Sequence, residues 1–150
     1  MARPTVEPIG LQLARTAKVV SRAFDGALVR AGGSLPTWLV LVSLKSQRHA
    51  MQRELAEAVG IEGPTLTHHL NRMESDGLVT RRRDPQNRRV HHVALTDAGE
   101  AAFQRLRQAV MAFDRRLRVG VTDEQSSLLG ELLGLLRANV ADANDRDVAS

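Results

Sequence analysis

The chain has no cysteine and no tyrosine. Without cysteine there is no disulfide, no thiolate metal site and no thiol-based redox sensor. Long apolar runs are missing too. Stretches such as Trp38 to Val42 fall far short of the roughly 20 residues needed to cross a bilayer. The opening residues, MARPTVEPIG, lack the apolar core of a signal peptide, so a cytoplasmic chain with no membrane partner is expected. There is no Ser/His/Asp pattern, no pair of carboxylates in an apolar setting and no glycine loop shaped for phosphate. The chain reads as a non-enzyme without a cofactor. Lysine is nearly absent: of 21 basic residues only Lys18 and Lys45 are lysine, and the rest are arginine. A GC-rich genome raises arginine content by codon usage, but that does not explain why arginines cluster.

What is present fits one domain-sized chain. A chain of 150 residues buries roughly two-thirds of its unfolded surface and needs no covalent staple. Net charge is +4 but unevenly spread. Residues 1–96 hold 14 basic and 8 acidic side chains, a net of +6, and residues 97–150 hold 7 and 9, a net of −2. A basic front suggests a polyanionic partner for that part alone.

Residues 1–8 carry Pro4 and Pro8 and read as a loose arm. From Ile9 the spacing of Leu13, Ala17, Val20, Phe24 and Leu28 predicts a helix with one apolar stripe, stopped at Gly32-Gly33. Ser34 is placed to cap a second helix with Pro36 in its first turn, turning Val40, Leu41 and Leu44 inward beside Trp38. Gln52 to Val59 is a short helix closed by Gly60. Pro64 opens another, which runs to about Asp76 with Leu66, Leu70 and Met73 inward and stops at Gly77. Two short helices around a glycine turn are a helix-turn-helix signature. Strands Val79 to Arg83 and Val90 to Leu95 follow, with Asp84-Pro85 and Asn87 as breakers between them. Thr96 then caps a long helix whose Phe103, Leu106, Val110, Phe113 and Leu117 step by three and four, as in a coiled-coil seam. Thr122 and Gln125 fit a capping box. The last helix is expected from Ser126 to about Val140, with a polar, flexible tail over 141–150.

The fold class implied is mainly α with a small β-hairpin wing. A winged helix-turn-helix region spans 35–95, and helical regions 9–33 and 96–140 serve dimerisation. The stretch RRRDPQNRR, Arg81 to Arg89, puts five arginines on the hairpin. Crowded like charges repel one another, and on an isolated tip they gain nothing from the fold. Against double-stranded DNA the sign reverses, because each arginine that meets a phosphate releases condensed counterions. A narrow hairpin also suits the minor groove. The preceding helix then enters the adjacent major groove and presents Thr65, Thr67, His68 and Arg72.

These features together resemble the multiple antibiotic resistance regulator (MarR) family. The resemblance is carried by Thr65-Leu66, Met73-Glu74, Gly77-Leu78-Val79, Asn87-Arg88-Arg89, and Thr96 with Gly99. Leu35 to Leu44 resembles the family's second helix, and the likeness covers about residues 9–140. It implies a homodimeric transcription regulator, usually a repressor on a pseudo-palindromic operator, often released by a small phenolic or lipophilic effector. Carried onto this chain, it places Pro64, Thr65 and His68 against DNA, and Arg88 and Arg89 at the wing tip with a neighbouring acid to steady them. Two positions depart from the family. Asn87 stands where the steadying acid is expected, so that ion pair is either absent or supplied by Asp84. His68 stands where other polar or basic residues are usual, and an imidazole cannot fork onto guanine as arginine does.

The six leucines between Leu128 and Leu136 cover more than one helix face, so another subunit is expected over Leu128, Leu132 and Leu136, with Phe103 of the preceding helix. Two rival functions remain. One is a metal- or haem-responsive regulator built on histidines. The pairs His68-His69 and His91-His92 cannot chelate one ion as neighbours, since adjacent side chains diverge on a helix and alternate on a strand. A site assembled from one member of each pair, or with His49, stays open. The other rival is a constitutive DNA-binding protein with no effector.

Overall fold

The computed structural model describes residues 6–47 and 49–147. Residues 1–5, 48 and 148–150 lie outside the described residues, as do the side chains of His49 and of residues 142–147, which include most of the tail expected over 141–150. The elements are α1 (Ile9–Arg30), α2 (Leu35–Ser46), β1 (His49–Met51), α3 (Gln52–Val59), α4 (Gly63–Ser75), β2 (Val79–Arg83), β3 (His91–Leu95), α5 (Asp97–Leu117) and α6 (Asp123–Asp147). Among the described residues no single helix is long and apolar enough to cross a membrane.

The chain divides into two units, residues 1–113 and 114–150. In the first, α2 is the central element. Val40, Leu41 and Leu44 are fully or almost fully buried and pack with Leu28, Leu55, Leu66, Leu70, Met73, Val79, Val93 and Leu106. Each such side chain removed from water contributes about 1.5–3 kcal/mol. Ser34 caps α2 as its sequence implies, its Oγ accepting the Thr37 N–H at 3.3 Å. The turn between α3 and α4 needs a left-handed residue, and Gly60 takes it at φ 70°.

Three departures from the sequence-based expectation concern this unit. The sheet has three strands in the order β1-β3-β2, all antiparallel, rather than a bare hairpin. The extra strand, β1, is only His-Ala-Met and shows no alternation. It forms because Ala50 pairs opposite Val93 and is buried there. Phe103 is the second departure. Expected at a subunit interface, it is 9% exposed within the chain itself and stacks on Trp38, ring centroids 5.5 Å apart and planes 8° from parallel. At the front of the α5 seam Phe103 is therefore covered by Trp38 of α2 and Leu106 is buried within the chain, while Leu117 at the far end stays exposed. The third is Arg81, which does gain from the fold, as described below.

The second unit is built around Arg118, whose guanidinium meets Asp123 at 2.7 Å and Ser126 at 3.0 Å, and approaches Asp114 at 3.6 Å. The capping box forms in both directions: Gln125 N–H donates to Thr122 Oγ1 at 3.1 Å, and Thr122 N–H to Gln125 Oε1 at 3.0 Å. The helix thus begins at Asp123, three residues before Ser126, and continues past Val140 to Asp147. Through Ala141, α6 has no buried residue, and Leu128, Leu129, Leu132 and Leu135 are about half exposed.

Candidate nucleic-acid interface

The candidate interface is made by α4 and the β2–β3 wing. Leu66, Leu70 and Met73 bury one face of α4, which leaves Pro64, Thr65, His68 and Arg72 exposed, as their spacing implies. Thr67 departs from that expectation. Its hydroxyl donates to the Gly63 carbonyl at 2.9 Å and accepts from Gln52 Nε2 at 2.8 Å. With its donor engaged and its side chain half-buried, Thr67 fastens α4 to α3 rather than presenting itself to a ligand. Gln52 carries no sequence signal for this role, because it follows only from the packing of the two helices. His68 is exposed and His69 half-buried, with ring centroids 5.9 Å apart.

On the wing the five arginines separate into two kinds. Arg81 folds back onto α4. Its guanidinium donates to Asn71 Oδ1 and, at 3.1 Å, to Glu74 Oε1, while its backbone N–H donates to Glu74 Oε2 at 3.0 Å. Arg81 is largely covered, and the hydrogen bond from its side chain is the first cause holding the Glu74 carboxyl below its usual range, against an opposing effect of burial. Arg82, Arg83, Arg88 and Arg89 are exposed, and among the described residues none has an acidic partner. Four cations therefore remain for an external anion.

The acid expected to steady Arg88 and Arg89 does something else. Asp84 accepts from the N–H groups of Gln86 and Asn87 at 2.7 and 3.1 Å and from His92 Nε2 at 2.8 Å. It shapes the turn and touches neither arginine. Asn87 is also structural, since its Oδ1 accepts the Arg89 N–H at 3.1 Å. A cleft of about 650 Å³ separates the start of α4 from the wing, with Gln52, Thr67, Arg89, Val90 and His91 on its walls. Arg81 adds a polar tie between β2 and α4, beside the core that Val79 shares with Leu70 and Met73. His92 is held by Asp84, and among the described residues no group of three or more His, Asp or Glu gathers as metal ligands.

An exposed polar helix face beside a wing whose four outer arginines have no acidic partner among the described residues has the charge and shape that suit duplex DNA. Residues 34–91 match the MarR family. A curated relative from Bacillus subtilis (strain 168), the uncharacterized HTH-type transcriptional regulator YdgJ, is 30% identical over 129 residues, covering 86% of this chain and 77% of its own. This chain belongs to the MarR family. Solved MarR-type structures agree in fold. The transcriptional repressor CouR, bound to a 23-mer DNA duplex, superimposes with a TM-score of 0.80 at 27% identity, covering 87% of this chain and 93% of that one. A MarR family transcriptional regulator from Rhodococcus sp. RHA1 gives 0.75 at 27% identity, with 88% and 94% covered. The chain is a transcriptional regulator and not an enzyme.

Proposed function

We propose that this MarR-family regulator is a cytoplasmic homodimeric repressor. Each protomer lays α4 in the major groove of one half of a pseudo-palindromic operator and sets Arg88 and Arg89 of the wing in the adjacent minor groove. The observation that carries the reading is the set of four exposed wing arginines that have no acidic partner among the described residues, next to the open face of α4. CouR, a relative of the same fold, was captured on a DNA duplex, which supports the same use of this surface. The exposed leucines of α6 support a second copy as its cover, with α1 and the end of α5 completing the interface. The reading includes release by a small phenolic or lipophilic effector, as the family resemblance implies, and a ligand-induced rise in melting temperature together with loss of operator binding would identify such a molecule.

The groove contacts are tested by titrating the operator with Arg88→Ala and Arg89→Ala at several salt concentrations. Each variant is expected to bind more weakly and to lower the magnitude of the salt slope by about one unit per lost phosphate contact. Wild-type affinity and slope in both variants would remove the wing from the groove.

A further inference from the structure

We propose that His92 is the positioning residue of the wing: when protonated it clamps Asp84, holds the arginine-bearing turn in one conformation, and so makes operator binding depend on pH through a group that touches no DNA. The inference rests on the proposed role of the wing in DNA binding.

The turn is held together by its own hydrogen bonds. Asp84 Oδ1 accepts the Gln86 and Asn87 N–H groups, Asp84 N–H donates to the Val90 carbonyl at 2.9 Å, and Val90 N–H donates to the Asn87 carbonyl at 2.9 Å. Arg89 N–H closes on Asn87 Oδ1. The other Asp84 oxygen, Oδ2, accepts from His92 Nε2 at 2.8 Å. Among the described residues this is the one side-chain bond that ties the turn to the sheet. It works against the mutual repulsion of Arg82, Arg83, Arg88 and Arg89, so losing it loosens the segment that carries Arg88 and Arg89.

The acceptor is constant and the donor is not. Asp84 stays ionised, its carboxyl held below the usual range first by the His92 hydrogen bond and then by the two turn amides. An imidazole changes charge near pH 6.5. As a cation it donates a charge-assisted bond from Nε2. When neutral it donates a weaker one, or none in the tautomer protonated at Nδ1. The groups around His92 are few. Across the strands stand Arg82 on β2 and the uncharged Met51 on β1. Arg82 repels an imidazolium, Asp84 attracts it, and of the two only Asp84 is in hydrogen-bond contact. On α3, which packs on β3, Arg53 pairs with Glu57 at 3.7 Å and Glu54 accepts the Met51 N–H at 3.1 Å. Sequence alone showed that His91 and His92 cannot chelate one metal as neighbours, and gave no sign of Asp84 as the partner of His92.

Two measurements on the full-length protein test the clamp. Amide hydrogen exchange at Gln86 and Asn87, corrected for intrinsic rates, should show about three- to tenfold less protection at pH 8 than at pH 5.5, the range expected for losing charge from one hydrogen bond. In His92→Leu protection should be low at both pH values, and in His92→Gln intermediate and flat. Operator affinity is then compared in a His68→Asn background, which removes the recognition-helix imidazole. There, affinity should fall several-fold from pH 6 to 8, and His92→Leu should abolish that dependence. Should His92→Leu misfold, the near-isosteric His92→Gln decides. Protection and pH dependence equal to the parent in the His92 variants would overturn the clamp. A clamp visible in exchange, in a protein that binds no operator at any pH, would instead overturn the wing's role on DNA.

Discussion

Single residues set the sharpest constraints. His68 is exposed one turn into α4, and its imidazole is free to meet a base edge or a phosphate. Beside phosphates the protonated ring is favoured, so binding should take up a proton and strengthen as pH falls from about 8 to 6. That dependence should be steeper in the wild type than in His68→Asn. If His68 reads a base, His68→Ala lowers discrimination at one symmetric pair of operator positions by about 1–3 kcal/mol and leaves scrambled-site affinity nearly unchanged. An unaltered specificity ratio would move sequence reading to Thr65, Arg72 and groove shape. Gly99 makes a different demand. A Cβ there would stand 2.1 Å from the Leu78 carbonyl oxygen, a backbone atom that cannot swing aside. Gly99→Ala should therefore destabilise by at least the roughly 1–3 kcal/mol typical of overpacking, read as a lower urea midpoint. An unchanged midpoint would mean that α5 shifts freely against the wing base.

At the scale of elements, the tie between β2 and α4 is the Arg81–Glu74 bracket. The pairing lowers the Glu74 carboxyl, so its contribution is full above the ordinary value near 4.5 and fades as pH falls through the lowered one. Because Glu74 is partly solvated, the effect is modest. Glu74→Gln should cost up to about 1 kcal/mol at pH 7 and less at pH 3, as measured by denaturant unfolding at both values. A loss of equal size at pH 3 would assign the effect to packing rather than charge. The elements themselves were largely legible in the sequence, because caps, glycine stops and apolar spacing are local signals. Ser34, Gly60, Thr96 and the Thr122–Gln125 pair all act where local chemistry places them. What stayed hidden was long-range. Nothing in His-Ala-Met reveals β1 before β3 is beside it. Nothing distinguishes Arg81 from Arg82 until strand alternation turns one toward α4. Thr67 looked like a recognition residue because its hydrogen-bond capacity shows in the sequence while its partner Gln52 does not.

For the whole molecule, the open question is what covers α6. Leu128, Leu129, Leu132 and Leu135 leave a run of apolar surface along a helix that buries nothing through Ala141. Monomeric proteins seldom keep such a patch in water. Leu132→Asp combined with Leu136→Asp should give monomers or insoluble protein by size-exclusion chromatography with light scattering. A folded dimer that still binds operator would place the interface elsewhere. Phe103 is no longer a useful interface probe, since its removal would open a cavity beside Trp38 inside the protomer.

Met51 ends β1 and directly precedes α3, where the Glu54 carboxylate accepts its N–H. Because β1 is paired to β3, the wing and the first helix of the helix-turn-helix share this residue as a joint. A load applied at the wing tip is carried down β3, across to β1 and into the start of α3, and from there through Gln52 and Thr67 to α4. In the proposed operator complex these contacts would gear insertion of the wing to the seating of α4, with the sheet acting as a lever between them.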